Sequence, residues 1–186
     1  INAGTTMQYS GNRGATASIT IADKLSRTEV REAGRTLEGN DTMKIMSMVD
    51  ASSGFNTSPL RPAYIGIVGD DTAYDLRGET GWISIEEYGS KGDIMEGEIG
   101  SLEGVRFVMT TNSSTSSTAG VDGITVHQTL IFGRDYYGIT RISGKALENI
   151  DKPLGSSGTA DPLNQRATKG WKASFVATRL NENFCV

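Results

Sequence analysis

One cysteine, Cys185, in 186 residues leaves no partner for an intrachain disulfide and no thiolate set for a zinc site. One histidine, His127, excludes a His-rich metal cage and gives nucleophile–histidine–acid chemistry a single possible base. No apolar run approaches the ~20 residues that a membrane-crossing helix needs. Basic residues are in deficit, with 18 Lys and Arg against 22 Asp and Glu, whereas a dedicated nucleic-acid binder carries a basic surplus. Four prolines stand against 23 glycines, which points to tight turns between short elements and not to stiffened linkers. No G-x-G-x-x-G follows a strand pattern, and neither a phosphate-cradling G-x-x-x-x-G-K-[ST] nor a G-x-S-x-G elbow occurs.

What is present suits a packed core, as one full domain or two small ones, with 37% hydrophobic and 22% charged residues. The chain begins at Ile1 and stops at Val186 inside alternating sequence, and is expected to be a piece of something larger. Residues 1–17 read as a loop, and Ile19 and Ile21 alternate in a short strand expected over 18–22. Ser26-Arg27-Thr28-Glu29 is a capping box, with Leu25 and Val30 as its hydrophobic staple. Val30, Ala33 and Leu37 then give one narrow apolar face. Gly39-Asn40 supplies a left-handed stop, so a helix is predicted over 27–38. Residues 43–49 have mixed period, and their three methionines read as fillers of core gaps.

Residues 62–68 read as a buried strand ended by Gly69, and Asp70 or Asp71 as the cap of a short helix running to Leu76 and stopped by Gly78. Val105, Phe107 and Met109 alternate with Arg106, Val108 and Thr110 in a strand after a turn-rich stretch at 97–104. A Ser/Thr-dominated loop fills 112–123. Strands follow near 125–132, 138–142 and 146–150, and a second loop covers 151–166. The alternation over 168–186 fits either one very long strand or a hairpin turned at Asn181-Glu182-Asn183. The balance is α+β, with more strand than helix.

The search for chemistry finds no catalytic constellation. His127 sits in a strand pattern and reads as a hydrogen-bonded structural residue; Cys185, beside Phe184, reads as a small buried hydrophobe. Glu86, Glu87, Asp93, Glu96, Glu98 and Glu103 form an acidic stretch near Trp82 and Tyr88. A two-carboxylate hydrolase or a glycan-binding surface would use such residues, as would any acidic loop. Asp70, Asp71 and Asp75 miss the spacing of an EF-hand, and Asn56-Thr57-Ser58 and Asn112-Ser113-Ser114 match the glycosylation pattern. Arg27, Arg31 and Arg35 recur every fourth residue. They form a basic ridge that either docks an acidic partner or is a solvated face balanced by Asp23, Glu29, Glu32 and Glu38.

The order of short motifs carries a resemblance. Asn2-Ala3-Gly4-Thr5, the helix signature from Leu25 to Leu37, Leu60-Arg61-Pro62, Tyr74-Asp75-Leu76-Arg77 and Gly97-Glu98-Ile99-Gly100 succeed one another along the chain. Glu103-Gly104-Val105-Arg106-Phe107-Val108 and Thr129-Leu130-Ile131-Phe132-Gly133 follow, then Lys152-Pro153, Gly158 to Thr168 (GTADPLNQRAT), Gly170-Trp171-Lys172 and Phe175. In this order they resemble the N4-like family of tailed-phage major capsid proteins. Two departures stand out: Gly69-Asp70 occupies the place of a His-Pro pair, and the Ser/Thr tract after Asn112 is longer than usual.

The resemblance implies a Hong Kong 97-type capsid fold with an axial and a peripheral domain. The N-terminal arm, extended loop and most of the spine helix would be absent. It places a loop after the missing helix at 1–18, mainly axial domain at 19–132 and mainly peripheral strands and loop at 133–186. It also implies a non-enzymatic, cofactor-free shell protein. Such a protein self-assembles into hexamers and pentamers of an icosahedral head around phage double-stranded DNA, held non-specifically. Portal and decoration proteins would be its other partners, with no membrane involved and assembly in the bacterial host cytoplasm before residence in the virion. Lys152, Asp161 and Arg166 on the second loop, with Arg27, Arg31 and Arg35 on the helix, are its candidate intersubunit contacts; the loop is expected near local threefold positions or is merely solvated. The alternatives are a glycan-binding decoration or head domain, and an encapsulin-like compartment shell of the same fold.

Overall fold

Ser26 opens the first helix, α1 (Arg27–Gly39), in the manner its neighbours dictate. In the computed structural model, which describes residues 6–49, 57–88, 94–141, 147–156 and 158–186, Ser26 Oγ accepts from the Thr28 N–H at 3.3 Å. The Glu29 carboxylate reaches back to the Ser26 N–H at 3.0 Å and also meets the Ser26 hydroxyl. Val30, Ala33 and Leu37 are buried, as their spacing requires. The stop differs from expectation. Gly39 stays helical, and the left-handed residue is Asp41, with φ of 55°. The Asp41 N–H reaches Glu38 O at 3.1 Å and the Thr42 N–H reaches Leu37 O at 3.0 Å, which is a Schellman closure on a residue that tolerates positive φ.

The chain forms two units, Ile1–Tyr136 with Asn181–Val186, and Tyr137–Leu180. In the first, β1 (Ile45–Val49), β2 (Thr57–Val68), α2 (Asp70–Arg77), β3 (Ile83–Ser84), β4 (Glu98–Leu102) and β5 (Val105–Met109) follow α1. The short strands β6 (Thr115–Ser116), β7 (Val126–His127) and β8 (Leu130–Phe132) complete it. The main sheet runs β1-β2-β5-β4-β3, with β8 also on β2. Strands β2 and β5 are parallel from Tyr64↔Val105 to Val68↔Met109, and the other pairs are antiparallel. Gly66 is a packing requirement: a Cβ there would lie 2.6 Å from the Phe107 ring. Phe107 belongs to one buried cluster with Val30, Leu37, Tyr64, Val68, Leu76, Leu102, Val105 and Ile131, against which Leu25, Trp82 and Val186 pack. The terminus closes onto β8, where Ile131 and Val186 exchange backbone bonds of 2.8 Å and Cys185 is fully buried.

Four local expectations change. Residues 18–22 form no strand; Thr16–Ser18 is a 3-10 turn, Thr20 donates its N–H and hydroxyl to Asp23 at 2.8 Å, and Ile21 is 84% exposed. Met43 and Met46 face solvent and do not fill the core. Gly69, not an aspartate, is the N-cap of α2, leaving Asp70 and Asp71 in the first turn, where they complement the helix dipole. On β5 the alternation fails at Arg106, which is as buried as Phe107 because the Glu98 carboxylate meets its guanidinium and the Tyr88 ring lies beside it.

The second unit holds β9 (Tyr137–Arg141), β10 (Leu147–Lys152), β11 (Thr168–Ala173) and β12 (Phe175–Arg179). They pair as two antiparallel ladders, β10 with β11 and β12 with β9. Neither reading of 168–186 is met in full. Ser174 separates β11 from β12, and after Arg179 the chain leaves for a 3-10 turn at Glu182–Phe184 in the first unit. Among the described residues the architecture is α+β: a six-stranded mixed sheet with helices α1 and α2 and the small β6-β7 pair in the first unit, and the ribbon of two two-stranded ladders in the second.

Candidate functional site

Register decides what the ribbon displays. Opposite pairs in an antiparallel ladder share a face, so Leu147 and Ala173 lie beside Asn149 and Trp171, with Asp151 and Lys169 next along. On the other ladder Phe175, Ala177 and Ile139 share a face with Tyr137 and Arg179. The ion pairs Lys169–Asp151 at 3.2 Å and Lys172–Glu148 at 3.0 Å join directly opposed residues and pin the register. The apolar side chains are bare: Trp171 is 74% exposed, Phe175 68% and Leu147 64%. Among the described residues this unit buries no hydrophobic side chain. A two-stranded ribbon is at best marginally stable alone in water, and an exposed apolar patch of this kind marks an interaction surface.

The loop between β10 and β11 carries three of the sequence-derived contact candidates, and the structure separates their roles. Lys152 ends β10 and Arg166 precedes β11; both are exposed, and among the described residues neither side chain has an ion-pair partner. Asp161 is different. It is only 8% exposed, and its carboxylate accepts the Arg166 N–H at 2.7 Å. Asp161 and Arg166 are therefore brought together through the backbone, not as a charge pair.

The arginine ridge on α1 also divides. Arg27 Nε binds the Glu103 carboxylate, Arg31 Nη2 lies 3.7 Å from it, and the Arg27 N–H donates to Glu79 at 3.2 Å. Glu103 and Gly104, with φ of 50° and 79°, form the tight turn from β4 to β5, and the positive φ of both suits a two-residue hairpin loop. The Arg27 hydrogen bond holds the Glu103 carboxyl below its ordinary range against an opposing effect of burial. Arg35 alone of the three has no such partner among the described residues. Neighbours on the helix do not balance the ridge; a turn from elsewhere in the sequence does.

The acidic stretch is used internally. Glu98 and Arg106 form a fully buried pair, with Arg106 Nε at 2.7 Å and Nη2 at 2.6 Å from the carboxylate oxygens. Tyr88 Oη–H and the Met95 N–H donate to the same carboxylate, each at 2.9 Å. Burial pushes the Tyr88 phenol up, and its bond to Glu98 adds to this against a hydrogen bond with Ser101. Arg61 and Arg106 both lie over the Tyr88 ring, at 5.4 and 5.8 Å. Trp82 packs against Phe107 at 5.9 Å, and Glu87 accepts the Ser84 N–H at 3.2 Å. The aromatics that a sugar site would need are thus engaged in packing, while Asp93 lies outside the described residues. Reading sequence alone missed the Glu98–Arg106 pair; the usable signal was an arginine at the centre of an apolar strand one tight turn away from a glutamate.

His127 lines a cavity of about 700 Å³ with Ile19, Leu25, Ile131 and Asp71. Its Nε2 is 3.6 Å from Asp71 Oδ2, beyond hydrogen-bond range, and its buried Nδ1 makes no hydrogen bond, so the hydrogen-bonded role expected of this side chain is not seen. Asp75 is held by Lys24 Nζ at 2.7 Å. Among the described residues no three His, Cys, Asp or Glu side chains gather as a metal site, and no helix is long and apolar enough to cross a membrane.

No protein-family model matches the chain, and no curated protein matches it. Solved structures do. The capsid of Ralstonia phage GP4 superposes with a TM-score of 0.60 at 15% identity, over 93% of this chain and 52% of that one. The fold is similar to that of phage capsids. The capsid structure of cyanophage P-SCSP1u gives a TM-score of 0.50 at 13% identity, over 87% of this chain and 46% of that one. The chain spans about half the length of the capsid chains it matches.

Proposed function

We propose that the chain is part of a major capsid protein of an N4-like tailed phage, with the first unit as axial domain and the ribbon as part of the peripheral domain of a Hong Kong 97-type shell. The observation that carries this reading is the bare ribbon on a fold similar to phage capsids. A surface-displayed apolar ladder without a core of its own calls for burial against other protein. In a shell that burial comes from neighbours, and heterologous contacts close into rings of six and five. Individual surface ion pairs need contribute only about 0–1 kcal/mol each, since closure multiplies weak contacts. The acidic net charge of −4 suits an inner face that holds double-stranded DNA without gripping it. Portal and decoration proteins would be further partners, with assembly in the bacterial host cytoplasm and final residence in the virion.

Sedimentation velocity on the full-length protein that contains this chain tests the proposal. A capsid protein gives large, discrete particles above a threshold concentration, and a species that remains monomeric at every concentration contradicts it. Nucleic acid recovered from particles formed in cells separates a phage head from an encapsulin-like compartment, whose contents are protein.

A further inference from the structure

We infer that Asp161 is a positioning residue that shapes the tip of the ribbon for contact with a second copy of the chain, the contact itself being made by Leu154 and Leu163 between Lys152 and Arg166. This rests on the shell reading above. Asp161 is the one buried residue among those described in the ribbon unit, and it is a carboxylate. A carboxylate taken out of water is retained where donors meet it, and the Arg166 N–H does so at 2.7 Å. The same residue fixes the loop through its backbone: its N–H reaches Gly158 O at 3.3 Å, and its carbonyl accepts the Asn164 N–H at 3.1 Å. Ser156 N–H closes on Pro153 O at 3.1 Å, while Gly155, Gly158 and Asn164 take positive φ of 85°, 53° and 53°.

On this internally bonded frame two leucines stand out in solvent, Leu154 at 61% and Leu163 at 73% exposed. Apolar side chains on a preordered loop lose little further freedom on docking, so their burial is retained as affinity. The flanking cations select the partner. The chain carries a surplus of four acidic charges, and exposed Asp70 and Asp71 sit together in the first turn of α2, so a second copy offers an acidic surface to Lys152 and Arg166.

Four forms of the full-length protein that contains this chain decide the matter: unmodified, Asp161→Ala, Asp161→Asn and Leu163→Ser. Each is assayed for amide exchange at Arg166 in the unassembled state and for particle yield by light scattering with no other protein added. Asp161→Ala is expected to raise Arg166 exchange by on the order of tenfold and to lower the yield. Asp161→Asn, whose Oδ1 still accepts the Arg166 N–H, is expected to keep most of both. Leu163→Ser is expected to keep the protection and lose the yield. If Asn is as harmful as Ala while protection is unchanged, Asp161 is an intersubunit charge partner and the positioning role is wrong. Wild-type yield from Leu163→Ser overturns the leucine contact, and a yield that needs an added phage or host protein overturns the second copy as partner. An unmodified full-length protein that never assembles removes the shell reading and the contact with it, whereas the exchange of Arg166 still decides the role of Asp161.

Discussion

Replacing Glu98 with alanine removes the acceptor for four donors at once: Arg106 Nε at 2.7 Å, Arg106 Nη2 at 2.6 Å, Tyr88 Oη at 2.9 Å and the Met95 N–H at 2.9 Å. Both charged side chains are essentially inaccessible, at 1% and 0% exposure. Loss of one member of a buried pair leaves the other charge in a poorly hydrated place and costs about 3–5 kcal/mol. Against a whole-domain stability of about 5–15 kcal/mol, that is a large share. For a unit of this size it lowers the thermal midpoint by roughly 10–15 °C. Differential scanning calorimetry on the purified chain, checked by urea unfolding, reads this directly. Glu96→Ala, on an exposed neighbour, is the control and stays within ~0.5 kcal/mol. The double substitution Glu98→Leu with Arg106→Met removes both charges and is expected to recover most of the loss, since well-packed apolar replacements of a buried pair are often near neutral. A Glu98→Ala variant within ~1 kcal/mol of the parent, the value of a surface pair, refutes the reasoning.

Gly66→Ala drives a methyl to 2.6 Å from the Phe107 ring and 3.2 Å from Val105, and is expected to destabilise by about 1–3 kcal/mol in urea unfolding; an unchanged midpoint contradicts that packing. Ser26→Ala removes the cap of α1 at a cost of ~1 kcal/mol, visible as a lower urea midpoint, while no change means that the capping box contributes nothing. Burial alone would push the Glu29 carboxyl up, but its bonds from Ser26 and from the Gly11 and Ser26 amides outweigh this and hold it below the ordinary range. With the folded value below the unfolded one, its contribution is complete above the unfolded value of about 4.3 and is lost as pH falls through the folded value. Urea midpoints between neutral and strongly acid pH are therefore expected to fall less steeply in Glu29→Gln, and an identical slope argues against the linkage. Trp171→Ser and Phe175→Ser touch side chains already in solvent, so the isolated chain is expected to melt within ~0.5 kcal/mol of the parent while the particle yield of the full-length protein that contains it falls; unaffected assembly removes the ribbon from the contacts.

Sequence reading succeeds here where the cause is local. The capping box needs only Ser26 and Glu29, three residues apart, and helix α1 starts where they put it. The stop of the same helix moves past the expected Gly39-Asn40 to Asp41, because any of the three tolerates the left-handed turn and local sequence does not choose among them. The alternation at Val105–Met109 misleads because period two presumes one wet face, whereas Arg106 is covered by a buried ion partner, Glu98, and by the Tyr88 ring. Glu98 could not be told from the other acidic residues around it until the turn at Glu103-Gly104 folded β4 back onto β5. On the ribbon, the alternation of Trp171, Ala173, Phe175 and Ala177 was plain in the sequence, but two-sided exposure was not, because apolar periodicity encodes a face to be buried and not the molecule that buries it. Asp161 was singled out for its charge, whereas its work in the structure is to accept a backbone N–H. Arg27 and Arg31 likewise find their acid, Glu103, only in three dimensions.

Negative-stain imaging of the full-length protein that contains this chain probes the central claim most directly. The account predicts closed particles of uniform diameter that disappear when Trp171 and Phe175 are both changed to serine. A field of dispersed monomers, or irregular aggregates indifferent to those two substitutions, would contradict it.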